Sequence, residues 1–283
     1  MIKNFFDNLN NKIFLFLIFL STVLLLISFY NLILSINTDN YKLSFNSDIK
    51  EEYSENIAKI TDLDEFKSKI NNKIKEKNLS GIKIPILVDD FVRKKFYHKY
   101  GVISWNENWF INLLEYFLPQ YRLNNSLDAG EIIKKNYATC NQQSIVFQNI
   151  IKNLGYEYAS VRFSIPNLSH FANAVKVNNQ WYFFDTHKEP EYNRKDPEVF
   201  DKIIQGDIEI LQSLYGKKLD YGNNIEITNS EMIVLTDINN FPAKRGLIIQ
   251  KLSFIISWYG WIICFVLALL YINFLKKIKG KNS

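Results

Sequence analysis

Ala138-Thr139-Cys140-Asn141-Gln142-Gln143-Ser144-Ile145-Val146-Phe147 opens a helix whose two ends are written into the chain. Thr139 is a good N-cap residue, and Gln142 stands three places on, the spacing of a capping box. Gly155 follows Leu154 where a helix end wants a left-handed residue. Between them Cys140, Ser144, Phe147, Ile151 and Leu154 fall on one stripe at helical spacing. Cys140 therefore takes the first helical position on the inward face. Free backbone amides and the positive end of the helix dipole are there, and both favour a thiolate over a thiol.

The segments that follow alternate with a period of two. Ala159, Val161, Phe163 and Ile165 are interleaved with Tyr158, Ser160 and Arg162, which predicts a strand. Pro166-Asn167 ends it. A second strand starts near His170 and ends at Val177. Asn178-Asn179 suits a two-residue hairpin turn because Asn tolerates positive φ. Residues 180–185 then return as a third strand. A two-residue turn pairs Val177 with Gln180, Ala174 with Phe183 and Ala172 with Asp185. It leaves His170 one diagonal step from Asp185 on the same face, roughly 7–8 Å away at the backbone. Small Ala172 and Ala174 on that face leave room for the Cys140 helix. A three-residue turn would slip the parity and turn His170 from Asp185.

A thiol, an imidazole and a carboxylate in this order compose a nucleophile, its base and the base's orienter. Cys140 has no thiol competitor in the polar part of the chain. The only other cysteine, Cys264, lies in a membrane-length apolar run. Taken singly, each residue has a plainer reading: Cys140 as a small buried hydrophobe, His170 as a hydrogen-bonded core histidine, Asp185 as a strand-end residue. His187 falls opposite His170 in this register and competes for the base's role. His98 falls in a helix expected over 89–100 and reads as structural. No Cys-x-x-Cys or His-x-x-x-His pair gives a metal site, and no acidic loop has calcium-binding spacing. With ten glycines in 283 residues, no Gly-rich phosphate loop is present. No cofactor is expected.

Cys140, His170 and Asp185, in their helix–strand–strand setting, resemble the catalytic core of the transglutaminase-like superfamily, whose logic is shared with papain-like proteases. The resemblance covers about 88–190 and is sharpest from Tyr137 to Pro190. The run Asp90-Phe91-Val92-Arg93-Lys94-Lys95-Phe96-Tyr97-His98, then Asn108-Trp109, is similar to the lead-in of some bacterial members. The chain departs from the common pattern at Phe171-Ala172, where Trp often follows the histidine, and at Thr186, where Pro often follows the aspartate. The resemblance implies Cys140 as nucleophile, His170 as base and Asp185 as orienter. It implies amide hydrolysis or acyl transfer through a thioester, on a protein, peptide or cell-wall substrate. A second oxyanion donor would come from Trp105, Trp109 or Tyr137. The rival reading is a catalytically silent module of this fold that binds a partner in a membrane complex.

Residues 13–34 are almost wholly apolar, with Asn31 the exception, and are long enough to cross a bilayer. The run is too long for an ordinary signal-peptide core. A second run, about 253–275, ends in Lys276-Lys277-Ile278-Lys279-Gly280-Lys281. The expected organisation is a tail over 1–12, a span over 13–35, a helical part over 36–87, the α+β core over 88–190, a C-terminal part over 191–250, a span over 252–275 and a basic tail over 276–283. The fold class is thus α+β, a Cys-bearing helix packed on an antiparallel sheet, set between two transmembrane helices. Lys3 and Lys12 precede the first span and no base follows it until Lys42. The positive-inside rule then favours cytoplasmic termini and an extracytoplasmic centre, in a bacterial inner membrane. The bacterial expectation rests on the heavy use of Lys, Ile and Asn. A thiol without a partner in an oxidising compartment fits a reactive cysteine. The net charge of +5 is spread among acids and reads as solvated faces and membrane flanks, not a nucleic-acid surface. Residues 50–78 read as charged amphipathic helices. Residues 105–121 read as an aromatic helix packed beside the core. Residues 189–196 read as a polar loop at the cleft, and 197–218 as a further helix.

Overall fold

The computed structural model describes residues 2–37, 53–99, 101–165, 168–186, 219–220, 224–225, 233–241 and 243–281. The chain is mixed helix and sheet and divides into two compact units. One unit gathers the two long helices with residues 102–125. The other holds 46–101 and 126–244.

The second unit is built around a hairpin and one helix. Strand β3 (Glu157–Ile165), β4 (Leu168–Val177) and β5 (Gln180–Phe184) form an antiparallel meander, and β8 (Ile233–Leu235) adds to the free side of β3. The short strands β6 (Leu219–Asp220) and β7 (Asn224–Ile225) pair with each other. Asn178 and Asn179 have φ of 51° and 64°, the signature of a type I′ turn, whose twist matches that of the flanking strands. The register is the one expected: Val177 opposite Gln180 and Ala174 opposite Phe183.

Helix α7 (Cys140–Asn153) is the core of this unit. Its start is the expected capping box, with the Thr139 amide donating to Gln142 Oε1 at 3.1 Å. Its end is a Schellman motif. Tyr156 N–H donates to the Ile151 carbonyl, Gly155 N–H donates to that of Lys152, and Gly155 has φ +84°. Burial corrects the single-stripe expectation. Residues from Gln142 to Gln148 are all buried, along with Ile150 and Ile151. The helix is enclosed because α4 (Lys83–Lys95) and α6 (Ala129–Ile133) cover one side and β3 and β4 the other. The face it meets is also corrected. Gln148 Nε2 donates to Ser160 Oγ at 2.9 Å and Asn173 Oδ1 at 2.8 Å, and Phe147 packs on Phe184. These have the opposite parity to Ala172 and Ala174, so α7 does not press on the two alanines. The polar side chains of Ser160 and Asn173 face α7 because Gln148 supplies their hydrogen bonds.

Two short helices, α2 (Glu55–Ala58) and α3 (Leu63–Glu76), complete this layer. Phe66 and Ile70 of α3 are fully buried among Val88, Phe91 and Val92 of α4. Asp62 caps α3 by accepting from the Asp64 and Glu65 amides. The helix expected over 89–100 stops at Lys95. Phe96 turns extended, and Tyr97–His98 forms strand β1, parallel to β2 (Tyr137–Ala138). His98 is therefore a strand residue. The pairing with β2, three residues before Cys140, captures the backbone that the helical pattern would have continued.

The other unit contains α1 (Ile2–Asn37), α5 (Trp109–Phe117) and α8 (Lys244–Lys281). Apolar windows at 11–33 of α1 and 244–277 of α8 are long and apolar enough to cross a membrane. The second helix begins at Lys244, well before the expected start near 253. Residues 105–121 differ from expectation in two ways. Only 109–117 is α-helix, because Asn108 caps Ile111 N–H and Pro119 begins a separate 3-10 turn. The segment also groups with the long helices and not with the core.

Candidate active site

The hairpin brings His170 and Asp185 together. The ladder ends at Asn173 opposite Phe184, and Asp185 is the first residue beyond the strand. From there it reaches diagonally to His170. His170 Nε2 and Asp185 Oδ2 are 2.6 Å apart. Both residues are buried, at 1 % and 2 % exposure.

Cys140 comes to the same imidazole from α7. Ser144 Oγ donates to the Phe171 carbonyl at 3.5 Å, which sets the first turn of α7 beside the start of β4. Cys140 lies near enough to the imidazole to favour its protonated form, after the larger effect of Asp185. Asp185 occupies Nε2, so Nδ1 is the nitrogen left for the sulfur. Cys140 itself is 9 % exposed.

The electrostatics follow from this contact set. Burial opposes the charged imidazole. The charge and hydrogen bond of Asp185, with smaller contributions from Cys140, outweigh it and push His170 up from 6.5 to about 10. An imidazole beside a carboxylate and a sulfur can exchange a proton with the sulfur.

Residues that the pattern reading missed hold this geometry. Arg93 of α4 donates from Nη1 to the Asp185 backbone carbonyl at 3.0 Å. It thus fixes the chain where the strand ends. Gln142 is a hub as well as a capping residue: its Nε2 donates to the Gly101 and Ser126 carbonyls, and its Oε1 accepts from the Gly101 amide. The only sequence signal for Arg93 was its place in the run 90–98. Gln148 and Asn173 gave none, since a polar residue on a core face looks like a solvated one.

A cavity of about 300 Å³ runs beside α7, lined by Asn141, Ser144, Gln148, Ser160, Arg162 and Phe171 among others. Asn173 Nδ2 donates to the Phe184 carbonyl, which directs Asn173 Oδ1 to Gln148 Nε2. Gln148 Oε1 is then a buried acceptor with no hydrogen-bond partner among the described residues.

The remaining expected residues fall elsewhere. His187 and the loop 189–196 lie outside the described residues, as do Pro166-Asn167 and 197–218. Of the suggested oxyanion donors, Tyr137 lies in β2 of the α7 unit, while Trp105 and Trp109 belong to the unit of long helices. Among the described residues no group of three His, Cys, Asp or Glu side chains is placed to hold a metal ion.

No protein-family model matches the chain, and no curated protein matches it. Among solved structures the chain is similar to one described as "Crystal structure of a TGase", at 14% identity and a TM-score of 0.30. That similarity covers 59% of this chain and 41% of the other. A TM-score this low does not establish a shared fold.

Proposed function

We propose that this is a membrane-anchored cysteine enzyme of the transglutaminase-like type, acting on amide bonds of an extracytoplasmic protein, peptide or cell-wall substrate. The observation that carries the reading is the buried imidazole of His170, paired with Asp185 at 2.6 Å and lying beside Cys140.

The chemistry uses this chain's own groups. Cys140 sulfur attacks the amide carbonyl carbon, forming a C–S bond. The carbonyl oxygen takes up the negative charge and receives the Cys140 backbone N–H, which has no intrahelical partner at the first helical position. The C–N bond breaks as His170 gives its Nδ1 proton to the leaving amine. Water or an acceptor amine then attacks the thioester, His170 takes back a proton, and the C–S bond breaks. Asp185 stays ionised and holds the imidazole through Nε2. The cavity beside α7, lined in part by Asn141 and Phe171 next to Cys140 and His170, would take the chain that flanks the scissile bond.

The apolar helices α1 and α8 supply the anchor. Lys3 and Lys12 before the first span favour cytoplasmic termini.

A second reading, a silent module of the same type that binds a partner in the membrane, draws on the burial of all three side chains. The two separate in one experiment. Iodoacetamide labelling of the folded protein is followed from pH 5 to pH 9, in wild type and Cys140→Ala, beside amide turnover. An active Cys140 labels well below neutral pH, and turnover disappears in Cys140→Ala. A thiol inert until unfolding, or turnover retained in Cys140→Ala, rules the enzyme reading out.

A further inference from the structure

Residues 102–125 present large aromatic side chains outward. Tyr116 is 75 % exposed, Phe117 68 % and Tyr121 65 %, with Trp105 also exposed. A soluble surface seldom carries such a cluster without a partner. The same segment is bound by a buried polar network to α8. Asn108 Nδ2 donates to Ser253 Oγ at 2.8 Å, and Ser257 Oγ donates to Asn108 Oδ1 at 2.6 Å. Phe110 N–H donates to Ser257 Oγ, Trp109 Nε1 to the Ser257 carbonyl and Trp258 Nε1 to that of Glu107. Gln250 of α8 donates to the Leu123 and Asn125 carbonyls. The segment is therefore fixed along residues 250–258 of the helix, a level about 12 Å deep.

That level can be placed along the span. From Ser257 to Lys276, where the basic tail begins, α8 rises roughly 28 Å at 1.5 Å per residue, close to the thickness of a bilayer's hydrocarbon core. On α1, Ser28 Oγ donates to the Ser257 carbonyl at 2.9 Å, so Ser28 lies at the same height. From Lys12 to Ser28 α1 rises roughly 24 Å. If α1 and α8 span a bilayer, Lys12 and Lys276 would mark one boundary, and the layer of Asn108, Ser253, Ser257 and the indole N–H groups of Trp109 and Trp258 would mark the other.

We infer that residues 102–125 form a lipid-binding element. Their exposed rings, Trp105, Tyr116, Phe117 and Tyr121, enter the headgroup–acyl boundary on the side opposite the chain termini. The inference rests on reading α1 and α8 as membrane spans. The residue types fit: Trp and Tyr are the side chains enriched at this boundary, where a ring meets hydrocarbon and its polar tip meets headgroups. The acids of the segment are half-buried and hydrogen-bonded within it. Glu107 accepts from Ser104 N–H and Oγ, and Glu115 from Leu123 N–H, so neither needs to face anionic headgroups. A protein partner would have to reach this face at the depth where lipid already lies.

The test uses the full chain in vesicles of phosphatidylcholine and phosphatidylglycerol. Both native cysteines are replaced (Cys140→Ala, Cys264→Ser) and single nitroxides are placed through Phe117→Cys, Tyr121→Cys, Leu267→Cys or Lys152→Cys. Oxygen and a water-soluble nickel chelate compete to relax each label. The labels at 117 and 121 are expected to favour oxygen several-fold over the aqueous label at 152, at a depth between it and 267. If 117 and 121 match 152 while 267 reports the bilayer centre, the lipid-binding inference falls and the spans stand. If 267 is also aqueous, the spans themselves fail. Spin–spin broadening at 117 that vanishes on dilution with unlabelled chain would give this face to a second copy and overturn the inference.

Discussion

His170 Nε2 stands 2.6 Å from Asp185 Oδ2, with each side chain only 1 % exposed. Water screens such a contact poorly, so the pair interacts far more strongly than a surface ion pair. Its two members are brought together by a two-residue turn.

Stability should carry the signature of this pair. His170 is pushed up to about 10 in the folded chain, from 6.5. The folded state therefore holds a proton that the unfolded state releases between those values. The contribution is fully present below about pH 6.5 and is lost as pH rises through about 10. Urea denaturation at pH 6, 8 and 10 is expected to show falling stability in wild type. In His170→Gln this component of the fall should be gone. Equal slopes in the two proteins would show that His170 does not bind the extra proton.

Asp185→Asn removes the charge and keeps the shape. Burial then acts on the imidazole with little to oppose it, and His170 moves down. Thiol labelling of Cys140 near neutral pH should slow by orders of magnitude, and amide turnover with it. Asp185→Ala should further destabilise the fold by about 3–5 kcal/mol, the usual cost of leaving one member of a buried pair alone. An unchanged labelling profile in Asp185→Asn, with a shifted one in His187→Ala, would move the base to His187.

On the proposed reading Arg93 positions Asp185, to whose backbone carbonyl its Nη1 donates. Arg93→Met is expected to lower turnover by about 10²-fold, the scale of an ångström-level misplacement, with Arg93→Lys restoring part of it. The pH midpoint of Cys140 labelling should broaden or shift in Arg93→Met. A loss of thermal stability with an unmoved pH profile would make Arg93 purely structural.

The hairpin turn is testable by itself. Asn178 and Asn179 both have positive φ, which costs an alanine roughly 1–2 kcal/mol at each position. Asn178→Ala and Asn179→Ala should lower the thermal midpoint. Asn179→Gly, which completes the favoured type I′ pair, should hold or raise it. A destabilised Asn179→Gly would mean that the Asn side chain, and not the backbone conformation, supports the turn.

The chain itself determined the local frame of this protein. Thr139, Gln142 and Gly155 mark the ends of α7, because caps act on backbone groups a few residues away. The Asn178-Asn179 turn sets the parity of β4 and β5, and with it the shared face of His170 and Asp185, because strand side chains alternate without exception between bulges. The apolar runs of α1 and α8 are legible by length alone. What only the tertiary structure decided depends on neighbours distant in sequence. His98 left its helical pattern because β2 paired with it. Gln148 and Asn173 proved to be core residues joined to each other by the bond from Gln148 Nε2 to Asn173 Oδ1. Arg93 reached Asp185 across ninety-two residues. The aromatic segment 102–125 joined the long helices and not the core because Asn108, Ser253 and Ser257 bond one another where no side chain beside them in sequence would do so. Periodicity records which face of an element is apolar. It does not record which other element will cover that face, and the choice of cover set both the bonding of the site and the place of the aromatic face.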